Sequence, residues 1–312
     1  MQITVKSYSA DNRDLWNGFV KSAKNGLFMF DRGFMEYHAD RFVDASLIFY
    51  GDDEPLALLP ASRCGDELVS HGGLTYGGFV TGGKMKQHHM LDCFNTLKSW
   101  CRENGITSID YKTVPYIYHR LPAQEDLYAL YRNNASVIKI EPSSVIDFSH
   151  PVKLPKGRKA QIARAKREGV IVSETTDFDT FIALENEVLA QRHDTKAVHT
   201  GAELTLLHGR FPENIKCVGA FLNGKLIAGT VLFIYENVVH TQYLAADETA
   251  REIGALDLVI ASCVERYKES KRYFDFGIST EDLGRVLNTG LIAQKESFGA
   301  RTIAYQAWKI DY

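Results

Sequence analysis

The fold class the sequence predicts is α/β (α+β): two tandem units, each a mixed, mostly antiparallel sheet flanked by helices. Three observations predict it. The chain has 312 residues, which suits two compact domains better than one. The order strand, turn, strand, turn, strand, loop, helix, short strand occurs twice, from Pro55 to Asp110 and from Lys225 to Asp275, at nearly equal spacing. Such self-similarity is the mark of an internal duplication. Both runs also close on a short strand with a central aspartate, SIDYK and YFDFG. The expected domains are residues 1–145 and 146–312.

Each element follows from periodicity and turn chemistry. Ile3 to Val5 reads as a strand. Arg13 to Lys24 reads as a helix with Leu15, Trp16, Phe19 and Val20 on its apolar side, stopped by Asn25-Gly26. Phe28 to Phe30 and the following RGFMEYHADRF predict a strand, then a helix. Ala45 to Tyr50 and Leu56 to Arg63 are strands joined by the turn GDDEP, and Leu68 to Ser70 starts a third. HGGLTYGGFVTGG then places six glycines in thirteen residues. From Lys86 to Asn104, Met90, Phe94, Leu97 and Cys101 share one helical face, and Gly105 suits a C-terminal cap. Ser108 to Lys112 is a strand, Glu125 to Asn133 a helix and Ser136 to Ile140 a strand. Pro142, Pro151 and Pro155 predict a linker or crossover near 141–155.

The second half begins with a basic helix, Lys156 to Glu168, ended by Gly169. Lys156, Arg158, Lys159, Arg164, Lys166 and Arg167 on it form either an anion clamp or a solvated face. Val170 to Ser173 is a strand and Asp179 to Gln191 a helix. IKCVGAFLNGKLIAGTVLFIYENVVHTQYLAA reads as three strands, with Asn223-Gly224 and Glu236-Asn237 as the turns. A short linker, DETAREIGA, leads into the helix LDLVIASCVERYKES, whose Leu256, Val259, Cys263 and Tyr267 share a face. A loop carrying Arg251 and Gly254 before a helix start is a phosphate-binding arrangement, because the first amides of a helix have no partner within it. Thr289 to Phe298 is a helix capped by Gly299, and Thr302 to Lys309 the final strand.

Composition narrows the function. A net charge of -3 gives no global attraction to nucleic acid or membrane. Five cysteines, odd in number and scattered, predict no disulfide framework, and a reducing cytoplasm is the expected compartment. The start MQITVKSYSADNRD lacks the apolar core of a signal peptide. No apolar run approaches the roughly 20 residues that cross a bilayer, so no membrane insertion is expected. His88-His89 with Cys93 lacks a carboxylate partner, so no metal is expected.

Several segments together resemble the GNAT acyltransferases, and two units in tandem resemble the FemABX-like branch of that superfamily. They are KGRKAQIARAKREGV, LNGKLIAGTVLF, the loop carrying Arg251 and Gly254, FDFGIST and, most specifically, NTGLIAQKESFGAR. LVSHGGLTYGGF in the first half resembles a Tyr-Gly-Gly segment of the same branch. The resemblance spans about residues 27 to 309. It implies transfer of an acyl group to an amine, with acyl-coenzyme A (acetyl-coenzyme A first) as donor in GNAT members. FemABX members use aminoacyl-tRNA to extend cell-wall precursor peptides. Arg251, Gly254 and Ala255 fit the start of the GNAT pyrophosphate pattern, whereas Leu256 stands where a small residue belongs. The long helical arm of many tRNA-using members is missing from 169–215.

Amine attack on a carbonyl needs a base, an oxyanion site and an acid for the leaving group. The expected catalytic residues are Asp275, Lys295 and Glu296. Tyr243, Leu244 and Ala245 are expected to present backbone amides to the donor carbonyl, with Arg251, Gly254 and Ala255 also on the donor side. His71, Gly73, Tyr76, Gly77 and Gly78 are the expected acceptor side, since glycines let backbone approach a ligand closely. His240 reads as a structural histidine. Three functions are consistent with this reading. The first is an acyl-coenzyme A-dependent transferase acting on a sugar, peptide or cell-envelope precursor. The second is an aminoacyl-tRNA-dependent peptidyltransferase, which the acidic net charge disfavours. The third is a binding module without turnover. Monomer and homodimer are equally compatible with the sequence.

Overall fold

The computed structural model describes residues 1–151, 153–193 and 195–312. The chain forms two compact units, Met1–Glu141 with Ala304–Tyr312, and Pro142–Ile303. The first contains β1 (Ile3–Ser7), α1 (Arg13–Ser22), α2 (Arg32–Met35), β2 (Val43–Asp44), β3 (Leu47–Gly51), β4 (Glu54–Leu59), β5 (Ser62–Cys64), β6 (Glu67–Val69), β7 (Val80–Thr81), α3 (Gln87–Glu103), β8 (Ser108–Lys112), α4 (Glu125–Arg132) and the start of β9 (Ser136–Asp147). β1, β3, β4 and β7 pair antiparallel. β2, β5 and β6 form a second run that reaches β8 through a parallel step. Met90, Cys93, Phe94, Leu97 and Cys101 are the buried face of α3, and they pack with Phe49, Phe79 and Tyr111 as the core of this unit.

Three expectations change here. Phe28–Phe30 and Glu36–His38 are 3-10 turns flanking α2, with no strand, and bury Met29, Phe30, Phe34 and His38. The expected strand Leu56 to Arg63 is two strands, because Pro60 offers no amide and the chain changes partner there. The amide of Ala61 is instead satisfied by Ser46 Oγ at 3.2 Å. The last strand, β17 (Arg301–Asp311), sends Ala307–Asp311 to pair with β8, so Ala304–Tyr312 belong to the first unit and not to a domain of 146–312.

The second unit holds α5 (Lys156–Arg167), β10 (Ile171–Thr175), α6 (Phe178–His193), α7 (Gly201–Arg210), β11 (Ile215–Leu222), β12 (Lys225–Ile234), β13 (Val238–Ala246), α8 (Glu248–Ile253), α9 (Ala255–Tyr267), β14 (Tyr273–Ile278), β15 (Thr280–Glu281), β16 (Val286–Leu287) and α10 (Thr289–Glu296). β10 to β13 form an antiparallel meander. Asn223 and Gly224 turn it with φ of 52° and 80°, the left-handed pair that Asn-Gly supplies cheaply. β14 joins β13 in parallel and β9 antiparallel. α9 buries Leu258, Val259, Ile260, Cys263 and Tyr267 in the core of the unit.

The linker expected near 141–155 is partly strand: β9 continues through Pro142 to Asp147. Pro142 lies one residue before Ser143, whose pairing with Ile278 is the last between β9 and β14, and its carbonyl accepts from Ser279 N at 3.3 Å. DETAREIGA is helical as α8, with Asp247 accepting from Ala250 N at 2.8 Å as its cap. α7, which the periodicity did not flag, opens on a capping box of Thr200 and Glu203. The two units share one device: a strand, a helix and a returning parallel strand paired over three residues. Glu67–Val69 lie against Ser108–Asp110, and Val238–His240 against Tyr273–Asp275. Among the described residues no helix is long and apolar enough to cross a membrane.

Candidate active site

The parallel pairing of β13 with β14 ends at His240–Asp275, and beyond it the two strands share no ladder. On its other side β13 slips register against β12 between Val231 and Leu232, leaving Gln242 as a bulge. The fork is held at its closed end by Asp275, which is 0% exposed. Asp275 Oδ1 accepts from Ser143 Oγ at 2.6 Å and from Gly277 N at 2.9 Å, and Oδ2 lies 3.0 Å from His240 Nδ1. A carboxylate there fixes Nδ1 as the protonated nitrogen. Gly277 has φ +75°, and a Cβ on it would stand 3.2 Å from His240 Cε1, so the ring lies over this glycine. The nearby Arg272 pairs instead with Asp147, at 2.9 Å.

α10 supplies the cation. Asn288 caps the helix by accepting from Leu291 N at 2.9 Å. Leu291, Gln294, Lys295 and Phe298 then follow at helical spacing and face a cavity of ≈ 160 Å³. Lys295 is 5% exposed, and its Nζ donates to the carbonyls of Gly277 at 3.0 Å and Ile278 at 2.5 Å. Burial pushes its ammonium down to about 8, with the charge of Asp275 acting the other way. The remaining walls are Leu244 and Ala246 of β13, Phe276 of β14, Val188 of α6, Arg251 of α8, and Leu256 and Ile260 of α9. A largely apolar cavity with a buried lysine at a strand fork can hold an acyl chain and protonate or polarise the group leaving it.

Among the expected donor residues, Leu244 and Arg251 reach the cavity. The Arg251 guanidinium also caps the end of β13, donating to Ala246 O from Nε at 3.0 Å and Nη2 at 2.8 Å. Leu256, the misfit to a phosphate pattern, is a wall of the cavity. Gly254 has φ +78° and divides α8 from α9; a Cβ on it would lie 2.7 Å from Gln161 O, so α5 presses on this turn. Ala255 is fully buried behind it. Tyr243 and Ala245 alternate with the cavity-facing residues, and the Tyr243 hydroxyl meets His199 N at 3.1 Å and Nδ1 at 2.6 Å. Glu296 is exposed on α10, off the face that carries Lys295. Apart from the sequence-flagged residues, Val188, Ala246, Ile260, Phe276, Leu291, Gln294 and Phe298 join the site. The α10 spacing could have identified three of these, Leu291, Gln294 and Phe298, whereas the others depend on packing between distant elements.

In the first unit the glycine-rich loop is closely packed. His71 is 4% exposed and burial pushes its imidazole down to about 3. A Cβ on Gly73 would strike His38, on Gly77 Ser70 O and on Gly78 the ring of Tyr111. Tyr76 is buried, with its hydroxyl 2.7 Å from those of Tyr118 and Tyr305. These glycines let the loop pack closely on its own unit. Among the described residues no group of three or more His, Cys, Asp or Glu could hold a metal ion.

The acetyltransferase (GNAT) domain family matches residues 156–283, which contain the fork and most of the cavity walls. No curated protein sequence matches the chain. Among solved structures, FemX superposes with a TM-score of 0.70 at 10% identity, covering 99% of this chain and 97% of FemX. L-PGS from Bacillus licheniformis gives 0.63 at 13% identity over 96% and 90% of the two chains. A tandem GNAT protein from the clavulanic acid biosynthesis pathway gives 0.56 at 10% identity over 99% and 98%.

Proposed function

We propose that this chain, whose fold is tandem GNAT and FemABX-like, is an acyltransferase. On this reading it moves an acyl group from an acyl-coenzyme A, acetyl-coenzyme A first, to an amine of a sugar, peptide or cell-envelope precursor. A fold hosts many chemistries, so the reading rests on one feature of the site. The fork between β13 and β14 opens beside an apolar cavity whose only cation buried to this degree, among the described lining residues, is Lys295. Backbone groups near Tyr243 to Ala245 polarise the carbonyl, Lys295 supplies the proton to the leaving group, and the Asp275–His240 pair orders the closed end of the fork. The free cysteines support a reducing compartment, the cytoplasm. The direct test is calorimetric titration with acetyl-coenzyme A, then coenzyme A release with an amine acceptor. Absence of binding at saturation rejects this donor.

One observation favours a second donor. Lys156, Lys159, Arg164, Lys166 and Arg167 are exposed along α5, so a polyanionic carrier such as aminoacyl-tRNA has a basic strip to meet. A charged-tRNA complex that weakens steeply with salt would select this donor. A chain that binds either donor and turns over neither is a binding module.

A further inference from the structure

The cavity beside the fork is larger than an acetyl group requires. Its volume is ≈ 160 Å³, and an apolar cavity of about 150 Å³ holds a six-carbon ring. An acetyl group has two carbons and would leave most of that space empty. Empty apolar space costs stability, because the side chains around it lose contacts on one side. The walls are also braced against collapse. The rings of Phe276 and Phe298 meet at 5.9 Å between centroids. The Arg158 guanidinium lies 4.7 Å over Phe298 while paired with Asp257 at 2.8 Å. Leu256 adds bulk where the phosphate pattern has a small residue.

The charges around the cavity set the character of its occupant. Apart from Arg251, Gln294 and Lys295, the described walls are apolar, and none is a carboxylate. Arg251 gives Nε and Nη2 to Ala246 O, and Lys295 gives Nζ to Gly277 O and Ile278 O. The ammonium of an aminoacyl group would meet two cations here and no counter-charge. An uncharged hydrocarbon chain instead exchanges water for apolar walls. Leu291 both lines the cavity and is 37% exposed, so it marks the open end.

We propose that the donor carries an uncharged medium-chain acyl group of about six carbons, hexanoyl first, with Leu256 and Leu291 setting its length. This deepens the acyltransfer reading and rests on it. In the transfer the carbonyl–sulfur bond breaks and the carbonyl–nitrogen bond forms. One proton passes from the amine to the departing sulfur.

The first test needs neither carrier nor turnover. The full chain, labelled at leucine methyls, is titrated with hexanamide, acetamide and leucinamide, and Leu256→Met and Leu291→Met identify the two signals. Leucinamide matches hexanamide in carbon count and carries an ammonium at about pH 6. Hexanamide should shift both signals saturably, and the two controls should not. No response to hexanamide, or an equal response to either control, overturns the proposal. With an amine acceptor, kcat/KM for hexanoyl-coenzyme A should exceed that for acetyl-coenzyme A by roughly 10²-fold, since each buried methylene contributes severalfold. Decanoyl-coenzyme A should gain nothing further, because the added carbons pass Leu291 into solvent; a continued rise overturns the six-carbon limit. Leu256→Trp should shift the preference toward acetyl-coenzyme A. If that variant fails to fold, Leu291→Trp at the part-exposed end should do the same. Equal kcat/KM for hexanoyl and acetyl thioesters overturns the chain-length inference and leaves acyltransfer standing. Hexanamide bound with no thioester turned over upholds the chain pocket and counts against acyltransfer.

Discussion

Lys295 and Asp275 show how a single residue's role depends on what packs around it. Both were visible as candidates, Asp275 in FDFGIST and Lys295 in NTGLIAQKESFGAR, but only coordinates separate them. Asp275 is saturated by Ser143, His240 and Gly277 and is poorly placed to accept a further proton. Lys295 is buried with an ammonium pushed down to about 8, so it holds its proton at neutral pH and gives it up readily. If it acts as the acid, turnover falls as pH rises through about 8, since the protonated form is the active one. Lys295→Ala should remove that falling limb and lower kcat by about 10²–10⁴-fold. A pH–rate profile unchanged by the substitution would remove Lys295 from the chemistry. Glu296, its neighbour in sequence, faces solvent on the same helix; Glu296→Ala serves as the internal control.

At the scale of elements, strands and long helices were legible and their interruptions were not. The meander from Ile215 to Ala246 and the helix α3 follow their periods closely, because each buries one regular face. Pro60 and Pro142 look alike in sequence, yet the first divides a strand and the second lies inside one. The α8–α9 turn was legible as a loop because of Gly254, but its reason is packing. A side chain there would sit at φ +78° and meet Gln161 O at 2.7 Å. A left-handed alanine costs about 1–2 kcal/mol, and displacing α5 backbone adds to it. Gly254→Ala should therefore destabilise by about 2–4 kcal/mol in urea unfolding. Gly157 on α5 has nothing within 4 Å of its added Cβ, so Gly157→Ala should leave stability unchanged or raise it by up to about 1 kcal/mol. Equal losses from the two substitutions would mean that backbone freedom, not the contact with α5, governs the turn.

For the whole molecule, the duplicated pattern announces two units because each repeat is local, but the assignment of the last strand is not local. Nothing in TIAYQAWKI says which sheet it completes, since a strand's period reports burial and not its partner. The structure gives its residues to the first unit: Ala307 pairs with Lys112 and Asp311 with Ser108. Tyr305, Ala307 and Ile310 are buried there, Ile310 within the core around Phe94 and Tyr111. The Tyr305 hydroxyl also completes the buried contact with Tyr76 and Tyr118, so the glycine-rich loop is tied to the chain's last residues. Ile310→Ala removes a fully packed aliphatic group and should cost about 2–5 kcal/mol. The location of that loss is more telling than its size. Amide exchange should quicken in β8 and β6, which lose a neighbour or a neighbour's neighbour, while β12 and α9 keep their protection, because their core draws no residue from 304–312. Exchange that quickens equally in β12 and α9 would show that the last strand stabilises the second unit as much as the first, and the division at Ile303 would have to be redrawn.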